Sequence, residues 1–89
     1  METIKVTVVK ISSYREPIVY KSEDWELLKP LAIGIEIEKE YIIDPKDFKD
    51  FVYTTCKVFN MVNEGRYHSS VGWITRFRDI ISKVNQEDK

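Results

Sequence analysis

The apolar period changes once in this chain, at Asp44-Pro45, and that switch limits the folds open to it. Before it, apolar side chains tend to alternate with polar ones, the two-residue period of a half-buried strand. After it they recur every three or four positions, the period of a helix with one buried stripe. A chain of 89 residues has room for one core, so the strands and the helices must cover each other. No internal repeat, low-complexity tract or Gly/Ser linker divides the sequence, and residues 1–89 read as a single domain.

Ile4, Val6 and Val8 share one face and Thr3, Lys5 and Thr7 the other, which predicts a strand over about 3–11. Val9 and Ile11 fall out of phase, and a β-bulge near Val8-Val9 would turn them inward. Ser12 to Glu16 read as a hairpin loop, and Pro17 suits the start of an edge strand over 17–21. Ser22 caps a short helical turn whose acids, Glu23 and Asp24, sit where the helix dipole favours them. Pro30 ends that turn, and Trp25, Leu27 or Leu28 plugs one end of the core. Leu31, Ile33, Ile35, Ile37, Tyr41 and Ile43 then occupy odd positions, against Ala32, Gly34, Glu36, Glu38 and Glu40 on even ones. This predicts a strand over 31–43 with an oily face and an acidic face, bent or turned at 38–40.

Asp44 as N-cap, Pro45 at the first position and Asp47 at the third open a helix over about 45–64. Phe48, Phe51, Val52, Thr55, Phe59 and Val62 line its buried face, and Gly65 stops it. Ser69 or Ser70 caps a second helix over about 70–85 with a stripe of Trp73, Ile74, Phe77, Ile80, Ile81 and Val84; residues 86–89 should fray. The expected class is α+β: a two-layer sandwich with a three-stranded antiparallel sheet (ββ, short helical turn, β) and two helices on one face. A meander is the simplest connection of the strands.

Composition narrows the function. Fourteen basic against fifteen acidic residues leave a net charge of -1, which excludes the strong field of a general nucleic-acid coat. One cysteine, Cys56, and one histidine, His68, exclude a disulfide framework, a zinc finger and a CxxC centre. No cofactor or metal is expected. A chain without disulfides suits a reducing, cytoplasmic setting, and no signal peptide or membrane span is expected. Eleven isoleucines against three leucines and one alanine suggest an AT-rich genome, common in viruses, so a viral or phage-like origin is expected.

Four constellations compete for a function. Cys56 and His68 could form a nucleophile-base pair, but the helix phase sets Cys56 beside Val52 and Phe59, where a buried, inert thiol is expected. Glu36, Glu38 and Glu40 repeat at about 6.6–6.8 Å along the strand. With Lys5 and Lys10 as cross-strand neighbours, they read as a charge-paired solvent face. Arg66, His68, Ser69, Ser70, Arg76 and Arg78, with Tyr67 to stack on a base, make a basic and aromatic stretch for a nucleic-acid-binding regulator. The strand-helix-helix order of 31–84 is that of the ribbon-helix-helix repressors, which read DNA with a paired strand. Here that strand would show three glutamates to phosphates, so the family is set aside.

The fourth constellation is apolar and aromatic side chains outside the core: Tyr14, Val19, Ile42, Tyr53 and Tyr67. Such surplus marks partner surfaces more often than chemistry. The expected function is a small, non-catalytic protein-binding or regulatory module that docks on a protein partner or on itself as a homodimer.

Overall fold

The computed structural model describes residues 2–65 and 67–87, with the backbone alone for 67–70 and 85–87. Strands β1 (Ile4–Ile11) and β2 (Ile18–Lys21) form an antiparallel hairpin, and α1 (Ser22–Leu28) follows directly. A 3-10 turn at Lys29–Leu31 leads towards β3 (Ile35–Ile43), which pairs antiparallel with β1. A second 3-10 turn, Pro45–Asp47, opens into α2 (Phe48–Asn63), and α3 (Tyr67–Glu87) completes the chain. The fold is α+β, a three-stranded antiparallel sheet with helices packed against it.

The strand order is β2-β1-β3, not the expected meander. Residues 22–34 supply the dozen or so residues that a crossover between parallel strands needs. The chain therefore passes over β1 and sets β3 parallel to β2 on the far side. β3 also starts later than alternation predicts. Pro30 keeps the chain in the 3-10 turn, and Gly34 then takes a φ of 76°, a left-handed conformation that disfavours any side chain. A Cβ at Gly34 would stand 2.8 Å from Ser12 Oγ, and the Gly34 carbonyl accepts from both Ser12 N and Ser12 Oγ at 2.9 Å. Glycine is required there twice over. Leu31 and Ile33 consequently never reach a pleated face.

Alternation along β1 builds two separate interiors. Val6 and Val8, with Val19 and Ile43 beside them, face Phe51 and Ile80 from α2 and α3. Phe51 is fully buried between Tyr41 (5.7 Å, edge-on) and Phe77 (5.2 Å, stacked). Burying each such side chain contributes about 1.5–3 kcal/mol. Thr7 and Val9 point to the opposite face, which α1 covers. Trp25, 2% exposed, stacks on Tyr20 at 5.6 Å, and Ser22 Oγ shares a hydrogen bond with Thr7 Oγ1 at 2.8 Å.

These contacts correct several expectations. The two long helices lie on one face as expected, but α1 covers the opposite face instead of plugging one end of their core. No bulge occurs at Val8-Val9; Val9 is fully buried on the α1 face, and the one shift in register lies between Lys10 and Ile11, with Glu36 the extra residue on β3. Ser22 is the first residue of α1 rather than its cap, its hydroxyl being taken by Thr7. Of the three expected plugs only Trp25 is buried, and it fills the α1 face rather than an end of the main core; Leu27 and Leu28 are exposed.

The helix signals fare better. Asp44 caps the 3-10 lead-in through Lys46 N at 2.9 Å, and Gly65, at φ 73°, follows the last turn of α2 as expected. α3 begins at Tyr67, so Ser69 and Ser70 lie within its first turn rather than before its start, and their side chains lie outside the described residues. It continues through Glu87, so 86–87 are helical rather than frayed, and 88–89 lie outside the described residues. Lys83 reaches Asp47 at 3.3 Å and Asp44 at 3.8 Å, and Arg76 reaches Asp50 at 3.3 Å, tying the two long helices together.

Candidate functional site

The crossover between β2 and β3 carries the most exposed apolar surface of the described residues. Leu27, Leu31 and Ile33 are 78%, 80% and 89% exposed, and Leu28 is partly exposed beside them. They form a ridge because α1 is short and its single inward anchor, Trp25, leaves the residues after it no sheet to cover. Lys29, within the ridge, pairs with Glu38 at 3.0 Å, so the ridge borders the middle of β3. Trp25 Nε1 donates to the same oxygen that Lys29 reaches, Glu38 Oε2. Those two donors, the indole first, hold the Glu38 carboxyl below the ordinary carboxylate range, and Glu38 in turn raises Lys29.

β3 is an edge strand with Glu36 to Glu40 exposed without interruption. The expected charge pairing is present, Lys5 to Glu40 at 3.7 Å and Lys10 to Glu36 at 3.6 Å. The acids do not form one row, however. Glu36 sits at the register shift and pairs with Lys10, whose side chain lies over the Phe59 ring on the α2 side. Glu38 and Glu40 stay on the α1 face, as cross-strand partners of Val9 and Thr7. Beside them α1 carries Glu23, Asp24 and Glu26, the last near enough to help raise Lys29, and Glu23, Glu26 and Glu40 line one shallow cleft with Lys5 and Lys21.

The expected partner residues are not brought together. Val19 is a correction: it is 8% exposed in the main core, because its partner across the ladder is Val8. Tyr14 is exposed in the hairpin turn, and Ile42 is exposed at the far end of the sheet, opposite Lys5. Tyr53 is exposed on α2, where it meets Trp73 of α3 edge-on at 5.5 Å. The Tyr67 side chain lies outside the described residues. The ridge was missed because Leu31, Ile33 and Ile35 alternate as a strand does. The contrary signal was Pro30 and Gly34 bracketing them.

For the nucleic-acid reading, Arg66 and the side chains of His68, Ser69 and Ser70 lie outside the described residues. Arg76 is engaged by Asp50 and lies over the Trp73 ring at 6.0 Å, and Lys57 lies over Tyr53 at 5.3 Å. Arg78 is exposed on a different side of α3 from Arg76, being about 200° around a helix of 3.6 residues per turn.

Cys56 is half-buried in α2, and its thiol donates to the Pro17 carbonyl at 3.7 Å. Burial, and then Glu16, push that thiol above its ordinary value, the reverse of what a nucleophile needs. Among the described residues no group of His, Cys, Asp and Glu is arranged to hold a metal, and no helix is long and apolar enough to cross a membrane. Comparison with family models, curated proteins and solved structures finds no match.

Proposed function

We propose that this chain is a non-catalytic docking module for a protein partner. The reading rests on one observation, the ridge of Leu27, Leu28, Leu31 and Ile33 held out from the fold beside an open strand edge. Isolated exposed leucines are ordinary, but four large apolar side chains exposed within residues 27–33 of one crossover are the kind of surplus that partner surfaces use. The suppressed acidity of Cys56 supports the non-catalytic part. An intracellular setting, and a viral or phage-like origin, belong to the same proposal and rest on composition alone.

The test is a paired capture experiment with wild type and the double variant L31S/I33S. Both positions are exposed, so the variant should fold, and far-UV circular dichroism checks that it does. The wild type should capture a partner or self-associate by light scattering, and the variant should lose either property. A wild type that stays monomeric and captures nothing removes the proposal. A nucleic-acid-binding regulator is the second reading, supported by Lys57 and Arg76 lying over Tyr53 and Trp73 and weakened by the Arg76–Asp50 pair. Capture abolished by nuclease treatment would favour it.

A further inference from the structure

We infer that the outer edge of β3 takes up an extended peptide strand bearing Lys or Arg at alternate positions, and that it rejects a second copy of the chain. The inference rests on the docking reading and deepens it by naming the partner's chemistry.

β3 is paired on one side only, by β1, so its other side presents main-chain donors and acceptors in the spacing that another strand satisfies. Its side chains determine which strand. From Ile37 onward the α1 face shows Glu38, Glu40 and Ile42, and the helix face shows Ile37, Lys39 and Tyr41. An antiparallel pair of β3 strands in one continuous sheet needs a two-fold axis normal to the sheet, so directly opposed residues come from the same face.

The three registers of greatest overlap each meet an obstacle. Centred on Lys39, it sets that ammonium against its own copy and Glu38 against Glu40 twice. Centred on Glu38 or on Glu40, it sets a carboxylate against itself. Like charges directly opposite each other destabilise a sheet. Lys29 and Lys5 already pair with Glu38 and Glu40 within each copy, so a second copy brings no surplus cation to face those carboxylates.

A foreign strand escapes the constraint. Basic side chains at alternate positions would face Glu38 and Glu40, with Glu23, Asp24 and Glu26 of α1 adding to the attraction. Apolar side chains at the intervening positions would meet Ile37, which is half-exposed, and Tyr41. Lys5 and Lys29 leave room for this, because a carboxylate can accept several donors and the Lys5–Glu40 contact is loose at 3.7 Å.

The experiment titrates the full chain against three fluorescein-labelled, end-capped nonapeptides. The first alternates Lys and Val, the second alternates Glu and Val, and the third is the Lys-Val peptide N-methylated at every residue, which removes the donors from both edges. Fluorescence anisotropy should show the first binding about tenfold or more tightly than either of the others. Its binding should also slow amide hydrogen exchange in 37–42. The variant E40K should narrow the preference for the Lys-Val over the Glu-Val peptide, and an unchanged preference would overturn the inference.

Equal binding of the N-methylated peptide would mean charge alone acts, and would overturn strand addition. So would a wild-type dimer whose formation protects 37–42. If all peptides fail while L31S/I33S still abolishes capture, strand addition falls and the docking reading stands.

Discussion

At the scale of single residues, the main cost in this fold is one hydroxyl. Thr54 is fully buried in α2, and its Oγ1 has no hydrogen-bond partner among the described residues. Its neighbour Thr55, also buried, returns its hydroxyl to the Phe51 carbonyl at 2.6 Å. An unsatisfied buried donor carries its full desolvation penalty, so Thr54→Val should stabilise the protein by about 1 kcal/mol. Urea unfolding should show a higher midpoint at an unchanged slope, and a lower midpoint would mean that the hydroxyl has a partner after all. The sequence stripe assigned Thr55 to the buried face and passed over Thr54, because residues on the flank of a stripe become interior only when a second helix packs on that flank. Val19 was misplaced for a related reason. A strand of four residues has too little alternation to fix its own phase, and the ladder to Val8 decides it.

At the scale of elements, α1 is held to β3 by a charge-assisted clamp. Glu38 accepts from Trp25 Nε1 and from Lys29, and its carboxyl is held low in the folded state. A depressed folded pKa contributes stability above the ordinary glutamate value, and that contribution is lost as pH falls through the folded value. Lys29 is raised, so its share persists below the ordinary lysine value and is lost as pH rises through the folded one. The difference in Tm between wild type and Glu38→Gln should therefore be present at neutral pH and vanish in acid. A difference independent of pH from neutral to strongly acidic would show that the ionised carboxylate is not what the clamp uses. The helix starts and stops were legible, since Asp44-Pro45 and Gly65 act through local backbone chemistry. Strand order was not legible, because it depends on whether thirteen or so residues turn back or cross over, and both fit the same alternation.

For the whole molecule, β1 is the shared wall of two interiors, with Phe51 on one side and Trp25 on the other. Removing the larger core should therefore loosen the face that Phe51 never touches. Phe51→Ala should cost about 3–5 kcal/mol. In a Trp73→Phe background, melting followed by Trp25 fluorescence should still coincide with melting followed by helix ellipticity. A Trp25 signal that outlasts the helices would divide the protein into two units. Of the candidate site, the sequence revealed its ingredients, Glu38, Glu40 and the leucines, but not their grouping, which the crossover creates. The same layout has a consequence for biosynthesis. The strand in the middle of the sheet is the first to leave the ribosome, and the helices that shelter its oilier side are the last. A nascent hairpin of residues 4–21 is thus greasy above and below until residues 22–87 have been made, the kind of transiently exposed surface on which chaperones act.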